Sequence, residues 1–304
     1  MKSATIAIIG RPSAGKSTLL NTLTGYKVSI TAAVPQTTRN KIRGIVTEQR
    51  GQLVFIDTPG WHDSHRKFNL RMMDLISAAL GETDMVLYVS DTLRPAGAEE
   101  LAVAERLKRF SGPIVAALNK TDVQPNGLEA AARFVHEHLP QAEIVPVSAL
   151  GGAGIGQLKT QLFALAPEGE ALYPGDYYTD QAPEFRAAEI IREQAIAACR
   201  EEIPHVLYVE IADMENSGTG TDESEKPPPG GKKPRLWIRA FIMVESESQK
   251  GILVGAGGLR IKSIRVAAQK ELGKIFPYRI QLDLRVKARP RGRREDGLLN
   301  KLIR

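Results

Sequence analysis

The 304-residue chain contains one cysteine, Cys199. A single cysteine excludes an internal disulfide and fits a reducing compartment. No run of about 18 apolar residues occurs, so the sequence encodes no membrane-spanning helix. The early apolar run, Ala4 to Ile9, is too short for a signal peptide and lacks a small-residue cleavage pattern. It predicts a buried first strand, and the cytoplasm is the expected location. No internal repeat is present. Against these absences, the apolar fraction of 42% and charged fraction of 25% are those of an ordinary globular protein, and the length suits two domains.

Charge is unevenly distributed. Residues 235–304 hold 17 Lys+Arg and 6 Asp+Glu, a local +11, whereas residues 1–234 carry −5. A basic third on a mildly acidic body predicts a polyanion partner for that third.

Short apolar runs alternate with helical patterns over residues 3–165. Strand-length runs are "ATIAIIG", "QLVFID", "DMVLYVS", "GPIVAALNK" and "AEIVPVSA". Helical patterns fall at 71–80, 99–110, 127–138 and 155–164. Continuous apolar strands between helices predict a doubly wound α/β sheet with its ligand beyond the strands' carboxyl ends. "APEGEALYPGDYYTDQAP", residues 166–183, breaks this rhythm and reads as a linker. A second, smaller α+β domain follows: helix (184–201), strand (205–211), strand (235–245), helix (259–272) and strand (279–288). The polar, proline-rich stretch 213–234 reads as an insert between two strands. The expected domains are therefore 1–168 and 184–304, joined by a linker at 169–183.

"GRPSAGKST", residues 10–18, matches G-x-x-x-x-G-K-[ST] directly after a predicted strand and before a helical pattern. Its glycines let backbone N–H groups turn inward around phosphates at a helix N-terminus. Gly10, Arg11, Pro12, Ser13, Ala14, Gly15, Lys16, Ser17 and Thr18 are the candidate contacts. Lys16 would reach the β and γ phosphates, and Ser17 would bind Mg2+. "NKTD" (Asn119, Lys120, Thr121, Asp122) ends one strand, and "SAL" (Ser148, Ala149, Leu150) ends the next. The Asp122 carboxylate can accept two hydrogen bonds from the guanine edge, a pair that adenine does not offer. Asn119 and Lys120 would brace the loop, and the Ala149 N–H would meet the guanine oxygen.

"DTPG" (Asp57, Thr58, Pro59, Gly60) and "PQTTR" complete the ordered set. Together these motifs resemble the translational GTPase-like superclass and, within it, the Era family of GTPases. The resemblance spans residues 1–290. It implies binding and hydrolysis of GTP to GDP, with Lys16, Thr38 and Gly60 in the catalytic set. It also implies a Mg2+ site formed by Ser17, Thr38 and Asp57, with Thr37 as the neighbouring alternative to Thr38. Gly60 would sense the γ-phosphate through its N–H.

The second domain extends the resemblance to the type II KH fold. "AEIIRE" begins it, and Gly255, Ala256, Gly257 and Gly258 form a G-x-x-G loop followed by Arg260, Lys262 and Arg265. Such a loop exposes N–H groups to a nucleic-acid backbone. The Era resemblance implies an RNA-binding switch at the 3′ end of 16S rRNA during assembly of the small ribosomal subunit, with no DNA partner. The rival reading is a GTP-dependent switch docking on a protein or an anionic membrane surface, peripheral at the inner membrane face.

Three departures stand out. Ser13 replaces the P-loop asparagine that helps hold potassium in related GTPases, so K+ stimulation stays open. The insert is longer than the family pattern suggests, and the tail after 290 is arginine-rich where the family carries an aromatic. Trp61 follows Gly60, a position where many hydrolases place a glutamine to aim water. Indole offers a single donor, so the water must be placed by other groups and intrinsic hydrolysis is expected to be slow. His62 and His65 read as solvated loop histidines, and His136 and His138 do not share a helix face.

Overall fold

The computed structural model describes residues 1–31, 41–57, 80–123, 127–199, 207–216 and 234–289. The described residues fall into two compact units, which divide between Asp180 and Gln181.

The first unit contains β1 (Lys2–Ile9), α1 (Lys16–Thr24), β2 (Ile42–Glu48), β3 (Gly51–Asp57), β4 (Met85–Asp91), α2 (Ala98–Leu107), β5 (Ile114–Asn119), α3 (Gly127–His138), β6 (Glu143–Pro146) and α4 (Ile155–Leu165). The sheet order is β2-β3-β1-β4-β5-β6. Every neighbouring pair is parallel except β2 with β3, which is antiparallel. All residues of β3, β4 and β5 are buried, as expected for strands covered on both faces. From β1 the chain passes to β2 and β3 on one side of it, and the strands that follow β3 lie on the other side, beginning with β4. This makes the carboxyl end of β1 the topological switch point where such sheets bind ligands.

Helices form where apolar positions recur on one face. Leu19, Leu20 and Leu23 of α1 are buried, and Gly25 ends that helix with φ 75°, donating its N–H to the Asn21 carbonyl at 2.9 Å. At Gly44 a Cβ would approach Leu20 Cδ1 to 2.5 Å, so glycine lets β2 lie close under α1. On the other side, Val103, Ala104 and Leu107 of α2 and Val135 of α3 join Val86, Tyr88, Ala116 and Leu118 in one core cluster. Fully burying each large aliphatic side chain contributes roughly 1.5–3 kcal/mol.

β2 is absent from the sequence expectation, which places strands at the other five positions. The expected linker also behaves differently. Residues 168–180 lie along the first unit as a strap: Ser3 N–H donates to the Pro167 carbonyl at 3.0 Å, and Gly169 N–H donates to the Met1 carbonyl at 2.8 Å. The fully buried Gln52 side chain accepts from the N–H groups of Leu172 and Tyr173 and donates to the Tyr173 carbonyl, at 2.8, 2.9 and 2.9 Å. Further along, Ile45 N–H of edge strand β2 donates to the Tyr178 carbonyl at 2.9 Å. Arg43 pairs with Asp180 at 2.8 Å, and the rings of Tyr26 and Tyr178 stack 4.2 Å apart. The strap thus covers a sheet edge that would otherwise expose its backbone groups.

The second unit comprises α5 (Pro183–Ala197), β7 (Tyr208–Asn216), β8 (Arg235–Val244), α6 (Glu247–Val254), a 3₁₀ turn (Ala256–Gly258), α7 (Leu259–Ile275) and β9 (Arg279–Ala288). Its sheet order is β7-β8-β9, with β7 antiparallel and β9 parallel to β8. Leu282 and Leu284 of β9 are buried and Arg285 and Lys287 exposed, the alternation its sequence predicts. Residues 213–216, expected to open the insert, continue β7 beyond a register shift at Ile211/Asp213. Residues 217–233 lie outside the described residues.

Candidate nucleotide site and nucleic-acid interface

The switch point of the first unit is closed by the loop from Gly10 to Gly15. A Cβ at Gly10 would meet the Val89 carbonyl at 2.4 Å, and Gly15 holds φ 96° beside Asn119. Ser13, with φ 61°, also takes the left-handed conformation. Such a loop bends tightly enough to aim N–H groups inward at the start of α1.

Lys16 crosses this loop, donating to the Gly10 and Arg11 carbonyls at 3.0 Å each. Burial pushes its ammonium down to about 8, a fall that Asp57 and Glu99 only partly oppose. A buried ammonium with that deficit suits a polyanionic ligand. Ser17, one residue on, donates its hydroxyl to Asp57 Oδ2 at 2.8 Å, and Asp57 is fully buried at the end of β3. Two hard oxygen donors on adjoining elements fit a divalent cation that keeps several waters.

Asn119, at the end of β5, joins two loops. Its Nδ2 donates to the Ala14 carbonyl at 2.9 Å, while its Oδ1 accepts the Ala149 N–H at 2.9 Å. The Ala149 N–H, expected to face a guanine oxygen, therefore has Asn119 as its acceptor here. Thr22 of α1 donates to the Ala149 carbonyl at 2.6 Å, tying the same loop to the phosphate-side helix. Lys120 donates to the Ser13 carbonyl at 2.8 Å and to Asp91 Oδ2 at 3.0 Å. Thr121 donates to the Val147 carbonyl, and Ser148 Oγ accepts the Gly151 N–H. The chain so braced leaves Asp122 and Leu150 exposed at the rim.

The buried guanidinium of Arg11 turns behind the loop, pairing with Glu100 at 2.7 Å and Asp91 at 3.6 Å. It also donates to the carbonyls of Asp91, Arg94 and Pro95. Asp91, which sequence reasoning missed, is the hub: Arg11, Arg94 and Lys120 converge on its Oδ2, and Leu93 N–H donates to Oδ1 at 2.8 Å. These donors and the neighbouring cations hold its carboxyl below the usual range despite burial. Arg94 returns to the loop by donating to the Pro12 carbonyl at 3.2 Å. A carboxylate ending an apolar strand at the switch point was the available signal. Thr37, Thr38, Thr58, Pro59, Gly60, Trp61, His62 and His65 lie outside the described residues.

In the second unit the Gly255–Gly258 segment joins α6 to α7. Gly255, Gly257 and Gly258 have φ of 71°, 57° and 76°, conformations that side chains rarely adopt. Gly258 caps α7, whose first turn carries no acidic residue. Exposed Lys262 and Arg265 lie on that helix. Arg260 instead donates to the Ile252 carbonyl at 2.6 Å, capping the end of α6. Ile264 is buried and Ile261 half-buried. The N-terminal N–H groups, the bare glycines and the nearby cations form a surface suited to a phosphate backbone.

Comparison with known proteins decides the family. Residues 5–120 match the 50S ribosome-binding GTPase family, and residues 202–293 match the KH domain family. The chain is 47% identical to GTPase Era of Treponema denticola over 305 residues, covering 99% of each chain. The chain belongs to the Era family of GTPases. GTPase Era of Borreliella afzelii is 43% identical over 304 residues, covering all of both chains. Among solved structures, a point variant of Aquifex aeolicus Era bound to GDP.AlF4- superposes with TM-score 0.86 at 32% identity, covering 99% of this chain and 98% of that one. A structure of Era in complex with MgGDPNP and nucleotides 1506-1542 of 16S ribosomal RNA has TM-score 0.86 at 33% identity with the same coverage. This Era-family chain is therefore a GTPase, with a P-loop G domain of mixed sheet followed by a KH domain.

Proposed function

We propose that this protein is a slow GTP-driven switch in assembly of the small ribosomal subunit, engaging the 3′ end of 16S rRNA through its second unit. The observation that carries the reading is the Gly10–Gly15 loop braced by Asn119 in the same chain as a three-glycine loop at the N-terminus of α7. The full-length relative held with MgGDPNP and a 16S rRNA segment supports it.

In this reading Lys16 leaves the Gly10 and Arg11 carbonyls for the β and γ phosphates, while the backbone of residues 10–18 cradles them. Ser17 and Asp57, with Thr38, hold Mg2+, which when bound neutralises charge between the β and γ phosphates. Asn119 and Lys120 shape the base pocket, Thr121, Ser148, Ala149 and Leu150 line it, and Asp122 reads the guanine edge. Gly60 senses the γ-phosphate. With Trp61 in place of a water-orienting side chain, turnover stays slow until another group positions the water. Gly255 to Gly258, with Lys262 and Arg265, meet the RNA backbone. Arg260 supports that loop by holding α6.

Filter binding of a 16S rRNA 3′-end oligonucleotide at fixed salt tests the reading. Affinity should be higher with a non-hydrolysable GTP analogue than with GDP, by about 1–3 kcal/mol. Gly257→Asp should abolish RNA binding, because it places an anion and a Cβ in a left-handed position facing phosphate, while GTP hydrolysis persists. Equal RNA affinity in both nucleotide states would refute the switch.

A further inference from the structure

The Asp57 carboxylate accepts a second hydroxyl at the oxygen that Ser17 uses: Ser29 Oγ donates to Oδ2 at 2.8 Å. Ser29 is fully buried and belongs to no motif. Its position is fixed by Asn21, four residues after Ser17 on α1. The Asn21 Oδ1 accepts the N–H groups of Val28 and Ser29 at 2.8 and 2.9 Å, and its Nδ2 donates to the Ser29 carbonyl at 2.8 Å. One helix therefore places both hydroxyls that converge on Asp57.

We infer that Ser29 is a positioning residue of the magnesium site, orienting the Asp57 carboxylate for the metal. The inference rests on the reading of Ser17 and Asp57 as magnesium residues. A carboxylate gripped by one hydroxyl can turn about its terminal torsion, which is broad and weakly restricted. Two donors on one oxygen fix that rotation. When Ser17 turns a lone pair toward the metal, Ser29 still holds the carboxylate. Groups that orient a metal's protein partners commonly control its affinity.

A purely structural Ser29 would satisfy a buried carboxylate and nothing more. Its removal would then speed nucleotide release at every magnesium concentration without changing the concentration needed to slow it. The test is release of a fluorescent GDP analogue from the full chain, followed by stopped flow across a magnesium titration, with Mn2+ binding followed separately by electron paramagnetic resonance. For Ser29→Ala we expect the half-maximal magnesium concentration to rise by about 10- to 100-fold, with a matching loss of Mn2+ affinity. Ser29→Cys, which keeps the shape at a slightly larger volume and offers a weak donor, should shift both in the same direction and serves if the alanine variant does not fold. A parental half-maximal concentration in the folded variants would overturn the inference, even with faster release throughout. If magnesium fails to slow release from the unaltered protein, the Ser17–Asp57 reading itself falls, and the role of Ser29 with it.

Discussion

Asn119 donates its side-chain N–H to the carbonyl of Ala14, bridging 105 residues of sequence at 2.9 Å. The same amide accepts from Ala149, so one buried side chain ties the loop before α1 to the loop after β6. Asn119→Ala removes both bonds and leaves a buried carbonyl and N–H to find new partners. Each such group costs roughly 1–3 kcal/mol. GDP affinity should fall by about two to three orders of magnitude on that scale, measured by isothermal titration calorimetry. Gly15→Ala should weaken binding in the same way, because its Cβ would stand 2.3 Å from Asn119 Nδ2 with φ at 96°.

Lys16 supplies a prediction in pH. Its pKa in the free protein is lowered to about 8 by burial, and bound phosphates should raise it again. Below about 8 the lysine is charged in both states, and nucleotide affinity is insensitive to its titration. Above that value the free protein has lost the proton that the complex retains, so binding takes up a proton and affinity falls with rising pH. Calorimetry at pH 9 in buffers of different ionisation enthalpy should show proton uptake approaching one per GDP, and Lys16→Arg should remove it. The same shift bears on folding. The folded lysine binds its proton less tightly than the unfolded value of 10.5, so this group's destabilising contribution is full below about 8 and relieved as pH rises toward 10.5.

Where the sequence was legible, the reason is periodicity or motif. The parallel strands carry apolar runs, and β3, β4 and β5 are buried along their whole length because both faces are covered; Gly127–His138 and Arg279–Ala288 fall at the expected residues. The edge strand "IRGIVTE" was not legible, since Arg43 and Gly44 interrupt its short apolar run. The strap at 168–180 reads as a linker by its prolines, glycines and acids, and its course is set by contacts with residues far away in sequence, Gln52 and β2 among them. Asp91, marked only as a carboxylate ending an apolar strand, and Ser29, which belongs to no motif, were missed for a different reason. Their roles come from convergence of distant residues on one oxygen, and a single sequence carries no mark of that.

The strap makes a prediction of its own. Gln52→Ala deletes three hydrogen bonds to residues 172–173 from a fully buried site. The loss of stability should be about 2–4 kcal/mol, since several buried polar groups lose partners together. Denaturant unfolding of the full chain checks the magnitude. Limited proteolysis should cut the variant within 168–180 faster than the parent, and Asp180→Asn should show a weaker form of the same effect because the Arg43 pair is partly exposed.

The last prediction concerns which base is read. Asp122 is exposed at the rim, while its neighbours Lys120 and Thr121 are tied to Ser13, Asp91 and Val147. The braces fix the chain and leave the carboxylate to face a ligand. A carboxylate accepts from both the N1–H and the exocyclic amino group of guanine. Replacing one oxygen by an amide nitrogen turns one acceptor into a donor, which opposes the amino group and suits the carbonyl of xanthine. Asp122→Asn should therefore weaken GTP and strengthen xanthosine triphosphate. Each mismatched polar group costs roughly 1–3 kcal/mol, so the two changes together shift selectivity by several kcal/mol. Competition between the two nucleotides for the variant measures this directly. Unchanged preference for GTP would move base recognition away from Asp122, leaving the Asn119 clip as a brace without a reader.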